Sequence, residues 1–265
     1  MNILVCIKQV PNAQEVKIDP DTFELKDGAE YVVNPFDTYA LETAVRIKDN
    51  APETKIVVLT MGPDRSEQAV RDCCAVGADK GYLITDPVFE KSDTLATGRI
   101  LAKAIAKVEE EEGKFDVIFF GNQATDGDTA QVGPQVAEIL GYPQVTFAVD
   151  AADGGDLMKV TQENDAGFTV IGVGKPCVIA VTQTSFEPRF PTIKSKMAAR
   201  KAKVPHLSAA DIQIDPAQVG EAGSAARLVE RFLPPQREAG MMISEGSVEA
   251  SVLKLANLLS DAAVI

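Results

Sequence analysis

Apolar residues fall into short unbroken runs separated by longer stretches of helical period. Asn2–Ile7, Lys55–Met61, 80–85 and 115–120 are near-continuous apolar runs, the mark of strands covered on both faces of a parallel sheet. Between them, 34–48, 64–76 and 93–112 carry apolar residues three and four apart, as in Ala40, Leu41, Ala44, Val45 and Ile47. Asn34 can cap the first of these helices with Pro35 in its opening position, Gly77 closes the second, and Asp93 opens the third. After the fourth strand a helical pattern with Val132, Val136, Ala137, Ile139 and Leu140 runs to Gly141. Pro134 in its first turns predicts a late start near Gly133. Strands alternating with helices at this spacing predict right-handed βαβ units, hence an α/β fold with a mostly parallel, doubly wound sheet.

The rhythm changes further on. Segments 145–149, 157–164, 167–173 and 177–182 read as strands joined at Asp153-Gly154-Gly155, Asp165-Ala166-Gly167 and Gly174-Lys175-Pro176, which suggests antiparallel additions to the sheet. Residues 11–34, with turn chemistry at Asp19-Pro20 and Asp27-Gly28, read as an excursion with a hairpin. Residues 204–244 have few periodic signals and scattered prolines, as expected of an extended arm that needs a surface to lie on, and 248–259 is a final amphipathic helix. The predicted division is an α/β domain over 1–203 and a C-terminal arm over 204–265.

Composition narrows the function classes. A net charge of −13 over 265 residues argues against nucleic acid as a partner, and the absence of Trp argues against a base-stacking surface. No apolar run approaches the ~18 residues of a membrane span, and the opening MNILVCIKQV lacks the basic region and cleavage site of a signal peptide, so it reads as a strand. Cys6, Cys73, Cys74 and Cys177 have no metal-ligand spacing, which predicts a reduced, cytoplasmic protein without a metal. His206 is the only histidine, and no acid–base machinery stands out, so no catalytic side chain is predicted.

Ligands of open α/β sheets bind where the carboxyl ends of strands turn into helices. Three such ends converge here: Cys6-Ile7-Lys8, Met61-Gly62, and the loop from Gly121 through Asn122, Gln123, Ala124, Thr125, Asp126, Gly127, Asp128, Thr129, Ala130, Gln131 and Val132 to Gly133. Asn34, Phe36 and Asp37 join them as a helix N-terminus. Small residues at Gly62, Gly121, Ala124 and Gly127 permit close approach of a flat ligand. The spacing matches neither phosphate-loop fingerprint, G-x-x-x-x-G-K-[ST] or G-x-G-x-x-G. Ordinary capping competes with the nucleotide reading: Asp128 with Gln131 has the capping-box pattern, which stabilises a helix end by about 1 kcal/mol without a ligand. Over 189–203 the charge flips, with six basic residues and no acid. A solvated charge run is one reading. Phe190, Ile193 and Met197 interleaved with Lys194 and Lys196 suggest another, an apolar ridge bordered by cations that docks an acidic partner.

Four motifs in order, ILVCIKQVP, VNPFDTYALETAVRIKD, GNQATDGDTAQVGPQVAEILGYPQVTF and EPRFPTIKSKMAARKAK, resemble the beta subunit of electron-transfer flavoproteins. The resemblance covers nearly the whole chain. It implies a flavodoxin-like, adenine-nucleotide-alpha-hydrolase-like domain whose C-terminal arm embraces an alpha subunit that carries FAD. It also implies that the loop residues, with Cys6, Asn34, Phe36, Asp37, Met61 and Gly62, hold a nucleotide, which is AMP in the housekeeping type and a second FAD in the bifurcating type. The loop is similar to the bifurcating, anaerobe type, where NADH reduces the flavin of the beta subunit. Electrons then pass to ferredoxin or flavodoxin and, through the alpha flavin, to an acyl-CoA dehydrogenase. Residues 187–200 look like the family's recognition loop, with Ile193 as its apolar anchor. A nucleotide-binding regulatory domain on the same fold is the alternative from another class.

Overall fold

The computed structural model describes residues 1–26, 28–235 and 239–265. In chain order the elements are β1 (Asn2–Ile7), β2 (Gln9–Pro11), β3 (Tyr31–Val33), α1 (Pro35–Asn50), β4 (Lys55–Met61), α2 (Glu67–Val76), β5 (Lys80–Ile84), α3 (Thr94–Glu112), β6 (Val117–Gly121) and α4 (Val132–Leu140). They continue as β7 (Gln144–Asp153), β8 (Leu157–Asn164), β9 (Gly167–Gly174), β10 (Cys177–Val181), α5 (Ile193–Ala199), β11 (His206–Leu207), the short α6 (Gly220–Gly223) and α7 (Val248–Asp261). Among the described residues nine strands form one sheet in the order β11-β5-β4-β1-β6-β10-β7-β8-β9. Pairing is parallel from β11 to β7 and antiparallel across β7, β8 and β9, as the change of rhythm predicts for those three, but 177–182, expected with them, forms β10 and pairs parallel with both β6 and β7.

Alternation explains the layers. Ile3, Val5 and Ile7 of β1 point to one face, where Ala40, Leu41, Ala44 and Val45 of α1 and Ala69 and Cys73 of α2 cover them. Leu4 and Cys6 point to the other, against Ile100, Leu101, Ala104 and Ile105 of α3 and Val136 and Ala137 of α4. Each fully buried Leu, Ile or Val among these contributes about 1.5–3 kcal/mol. The chain moves from β1 outward through β4 and β5, then returns to place β6 on the other side of β1. The crevice above the carboxyl ends of β1 and β6 is therefore a topological switch point.

Two expectations shift. The excursion after β1 is bracketed by the two-stranded β2–β3 ribbon, and its hairpin turns at Asp19, whose Oδ1 accepts from Asp21 N and Thr22 N at 2.9 and 3.1 Å. Asp27, half of the other expected turn, lies outside the described residues. The arm leaves later than residue 204. β11 pairs with β5 at the sheet edge, and Ala209, Ile212, Ile214 and Val219 join the core beside α3, so the first compact unit is Met1–Val229. The second, Glu230–Ile265, holds α7, which Ser247 caps.

At the amino end of the sheet the Glu112 side chain is only 4% exposed and pairs with Lys55 and Lys80 while accepting from the Tyr82 hydroxyl. Burial works against its charge, but these partners prevail and hold the carboxyl down at about 2, below its ordinary value. The charged form therefore stabilises the fold above about pH 4.5, and that contribution disappears as pH falls through about 2. Glu112→Gln should cost about 1–3 kcal/mol at neutral pH, measured by urea unfolding. The gap from the wild type should close toward pH 2.

Candidate functional site

One buried carboxylate assembles the switch point. Asp37, in the first turn of α1, accepts Lys8 N at 2.6 Å on Oδ2 and both Gly121 N, at 3.1 Å, and Asn34 Nδ2, at 3.0 Å, on Oδ1. It thereby joins the chain leaving β1, the end of β6 and the start of α1. Asn34 occupies the N-cap position without capping. Its amide instead donates to Gln123 O at 2.8 Å and accepts Thr125 N at 3.2 Å, tying the loop after β6 to α1. Gly121 is more than a turn residue: a Cβ there would lie 2.2 Å from Asp37 Oδ1 and 2.8 Å from Phe36 C. Burial pushes the Asp37 carboxyl up to about 7 despite the donors around it. Burial likewise raises the Cys6 thiol well above its usual value, with the Asp37 charge adding to it, so Cys6 serves as an inert wall.

The capping-box reading of Asp128 and Gln131 does not hold. Asp128 sits in the left-handed region at φ 52° and accepts from Gln123 Nε2, while Gln131, the N-cap of α4, accepts from Thr94 Oγ1 at 2.9 Å. Ala130 is also left-handed at φ 53°. Two such non-glycine residues in one loop cost energy that the surrounding contacts must offset. The helix starts at Val132, so Pro134 falls where no intrahelical N–H bond is needed and the predicted late start is observed. The N–H groups of Val132 and Gly133 have no intrahelical partner, and both residues line the cleft. Gly133 lets α4 approach the Phe120 ring, to which a Cβ would come within 3.4 Å.

The cleft itself has a volume of about 530 Å³, within the range of small-molecule sites. Of the expected residues, Cys6, Asn34, Asp37, Met61, Gly121, Asn122, Gln123, Ala124, Gly127, Thr129, Ala130, Gln131, Val132 and Gly133 line it. Phe36, Gly62, Thr125, Asp126 and Asp128 are not among the lining residues. Phe36 backs Gly121, Gly62 packs on Ser66, Thr125 is tied to Asn34, Asp128 to Gln123, and Asp126 pairs with Lys8 at 2.6 Å. A second wall comes from after β5: Phe89, Lys91, Ser92, Asp93, Thr94 and Thr97, with Leu101 and Ala226. Asp93 caps α3 through Ala96 N at 2.8 Å and also accepts Ala225 N and Ala226 N at 2.7 and 2.9 Å. The signal for this wall was the fourth strand end, 80–85 followed by the Asp93 cap. The ionisable side chains in the lining include Lys8, Asp37, Lys91 and Asp93, and no metal-binding cluster occurs among the described residues.

A model of the electron transfer flavoprotein domain matches residues 22–212. The electron transfer flavoprotein subunit beta of Megasphaera elsdenii is 46% identical over 92% of this chain and 91% of its own. That of Thermoanaerobacterium thermosaccharolyticum is 40% identical over the full length of both. The chain belongs to the electron-transfer flavoprotein family. Within it the chain is a beta subunit, as the four motifs suggested. It is also 37% identical, over the full length of both, to the caffeyl-CoA reductase-Etf complex subunit CarD of Acetobacterium woodii.

The segment that resembles the family's recognition loop differs in detail from the expected ridge. Ile193 and Met197 stand one turn apart on α5, 81% and 59% exposed, but Phe190, 92% exposed, precedes the Thr192 cap and is not on the helix. Arg189 is withdrawn from the basic surface by Glu42 and Asp49 of α1, at 2.9 and 2.6 Å. Lys194, Lys196, Arg200, Lys201 and Lys203 have no acidic partner among the described residues. No described helix is long and apolar enough to cross a membrane.

Because the folded state holds the Asp37 proton more tightly than the unfolded chain, its contribution to stability is full below about pH 4 and declines as pH rises toward 7. Asp37→Asn should remove this slope in pH-dependent unfolding. It should also cost about 1–3 kcal/mol, because one backbone N–H would face an amide NH₂. Gly121→Ala should unfold at lower denaturant than wild type by a similar margin, since the added methyl meets backbone.

Proposed function

We propose that this chain is the beta subunit of a bifurcating, cytoplasmic electron-transfer flavoprotein whose cleft holds FAD, where a housekeeping beta subunit holds AMP. In this reading NADH is the donor. Ferredoxin or flavodoxin takes one electron, and the FAD of an alpha subunit passes the other to an acyl-CoA dehydrogenase. The observation that carries it is Gly127. It lines the cleft, a Cβ there would meet nothing within 4 Å, and its φ lies outside the left-handed region. Neither packing nor backbone requires glycine at that point, and its missing side chain leaves room for close passage of a diphosphate.

The residues fit such a ligand. Val132 and Gly133 N–H at the start of α4 offer donors to a diphosphate. Phe89, Leu101, Phe120 and Met61 supply apolar walls that keep water from a flat ring. The cleft crosses four strand ends, β5 to β6, about 14 Å of sheet, room for an extended nucleotide laid across the strands. When bound, the flavin supplies the hydride acceptor and the single-electron chemistry. The protein's part is to hold it, shield it and keep the loop in place through Asn34 and Asp37. The reductase complex named for the Acetobacterium relative supports an acyl-CoA-type partner.

The coexpressed alpha–beta complex should release two flavins and no AMP, and its visible spectrum should bleach on adding NADH. One flavin plus AMP, with no reduction by NADH, would overturn the FAD reading in favour of the housekeeping carrier. Gly127→Val should weaken flavin retention about tenfold while circular dichroism stays that of the wild type.

A further inference from the structure

Helix α5 carries the exposed ridge yet buries almost nothing of its own: Ala199 is the buried residue in its seven. A helix of that length does not persist in water without outside support. Its first turn is fixed locally by the Thr192–Ser195 capping box, and the chain before it by Arg189 on α1. Its last turn depends on another helix. Arg71 of α2 donates from Nη1 to the carbonyl oxygens of Ala199, Arg200 and Ala202, at 3.1, 2.9 and 2.7 Å. Ala199 ends the helix, Arg200 is its C-cap and Ala202 follows just beyond, so the guanidinium clasps the close of α5 and also suits the negative end of the helix dipole. Arg71 is aimed by Glu67 one turn earlier, with Nε 3.0 Å from Oε1, and Glu67 Oε2 is in turn 2.9 Å from His206 Nε2 on β11.

We infer that Arg71 is a positioning residue for docking: by holding the last turn of α5 it sets Ile193, Met197 and the unpaired lysines in the geometry that an apolar, acid-rimmed pocket on the dehydrogenase receives. The inference rests on the docking reading of this segment. A preformed ridge avoids the ordering cost that a loose one would incur on binding.

The test uses the alpha–beta complex, with a bacterial short-chain acyl-CoA dehydrogenase as acceptor at varied concentration. Arg71→Met should raise the KM for the dehydrogenase about 5- to 10-fold, leaving kcat and reduction by NADH unchanged. Arg71→Lys should recover part of the loss, since an ammonium still reaches a carbonyl. Hydrogen exchange at the amides of Arg200, Lys201 and Ala202, bonded to Lys196, Ala198 and Ala199, should quicken in the Met variant. On an Ile193→Ala background Arg71→Met should add less than it does alone, because both act through one contact. If Ile193→Ala raises KM and Arg71→Met does not, the positioning role is overturned and the docking reading stands. If Ile193→Ala leaves KM unchanged, the docking reading falls and takes this role with it.

Discussion

The cleft depends on a single acceptor shared by three pieces of chain. Asp37 gathers a backbone N–H from beyond β1, another from the end of β6 and an amide from the residue before α1. Because the carboxylate sits directly beneath β6, position 121 has no room for a side chain. The identities of Asn34, Asp37 and Gly121 are thus one constraint seen at three places. The same hub fixes where the loop after β6 begins, and Asn34 fixes its course two residues later.

Much of the architecture was legible because burial on both faces leaves a plain mark: four unbroken apolar runs became β1, β4, β5 and β6 with small changes at their ends. The antiparallel β7, β8 and β9 were equally visible, since glycine and aspartate punctuate them. The segment beyond residue 204 was not, because it joins the core through isolated side chains such as Ile212 and Val219, with no period to read. The helix ridge was misjudged at Phe190 because spacing alone does not show that Thr192 starts the helix after it.

In the site, the strand-end rule found the first wall, and the family resemblance supplied the individual residues. Local patterns failed where tertiary partners competed for the same side chains. Asp128 and Gln131 have the spacing of a cap, but Gln123 and Thr94 claim them. The wall after β5 is not legible because its cleft-facing residues are ordinary in type, and only their place above one further strand end distinguishes them. Arg189 illustrates the same limit: a cation in a basic run turned out to belong to the scaffold.

The bridge between Lys8 and Asp126 has a further consequence. Both groups are solvent-accessible, 48% and 32% exposed, and the contact spans from the end of β1 to the tip of the loop over the cleft. An accessible ion pair of this kind holds by about 1 kcal/mol or less and weakens as counterions screen it. The tie between these two segments is therefore one whose strength follows the electrolyte, firmest in dilute buffer and loosest in brine.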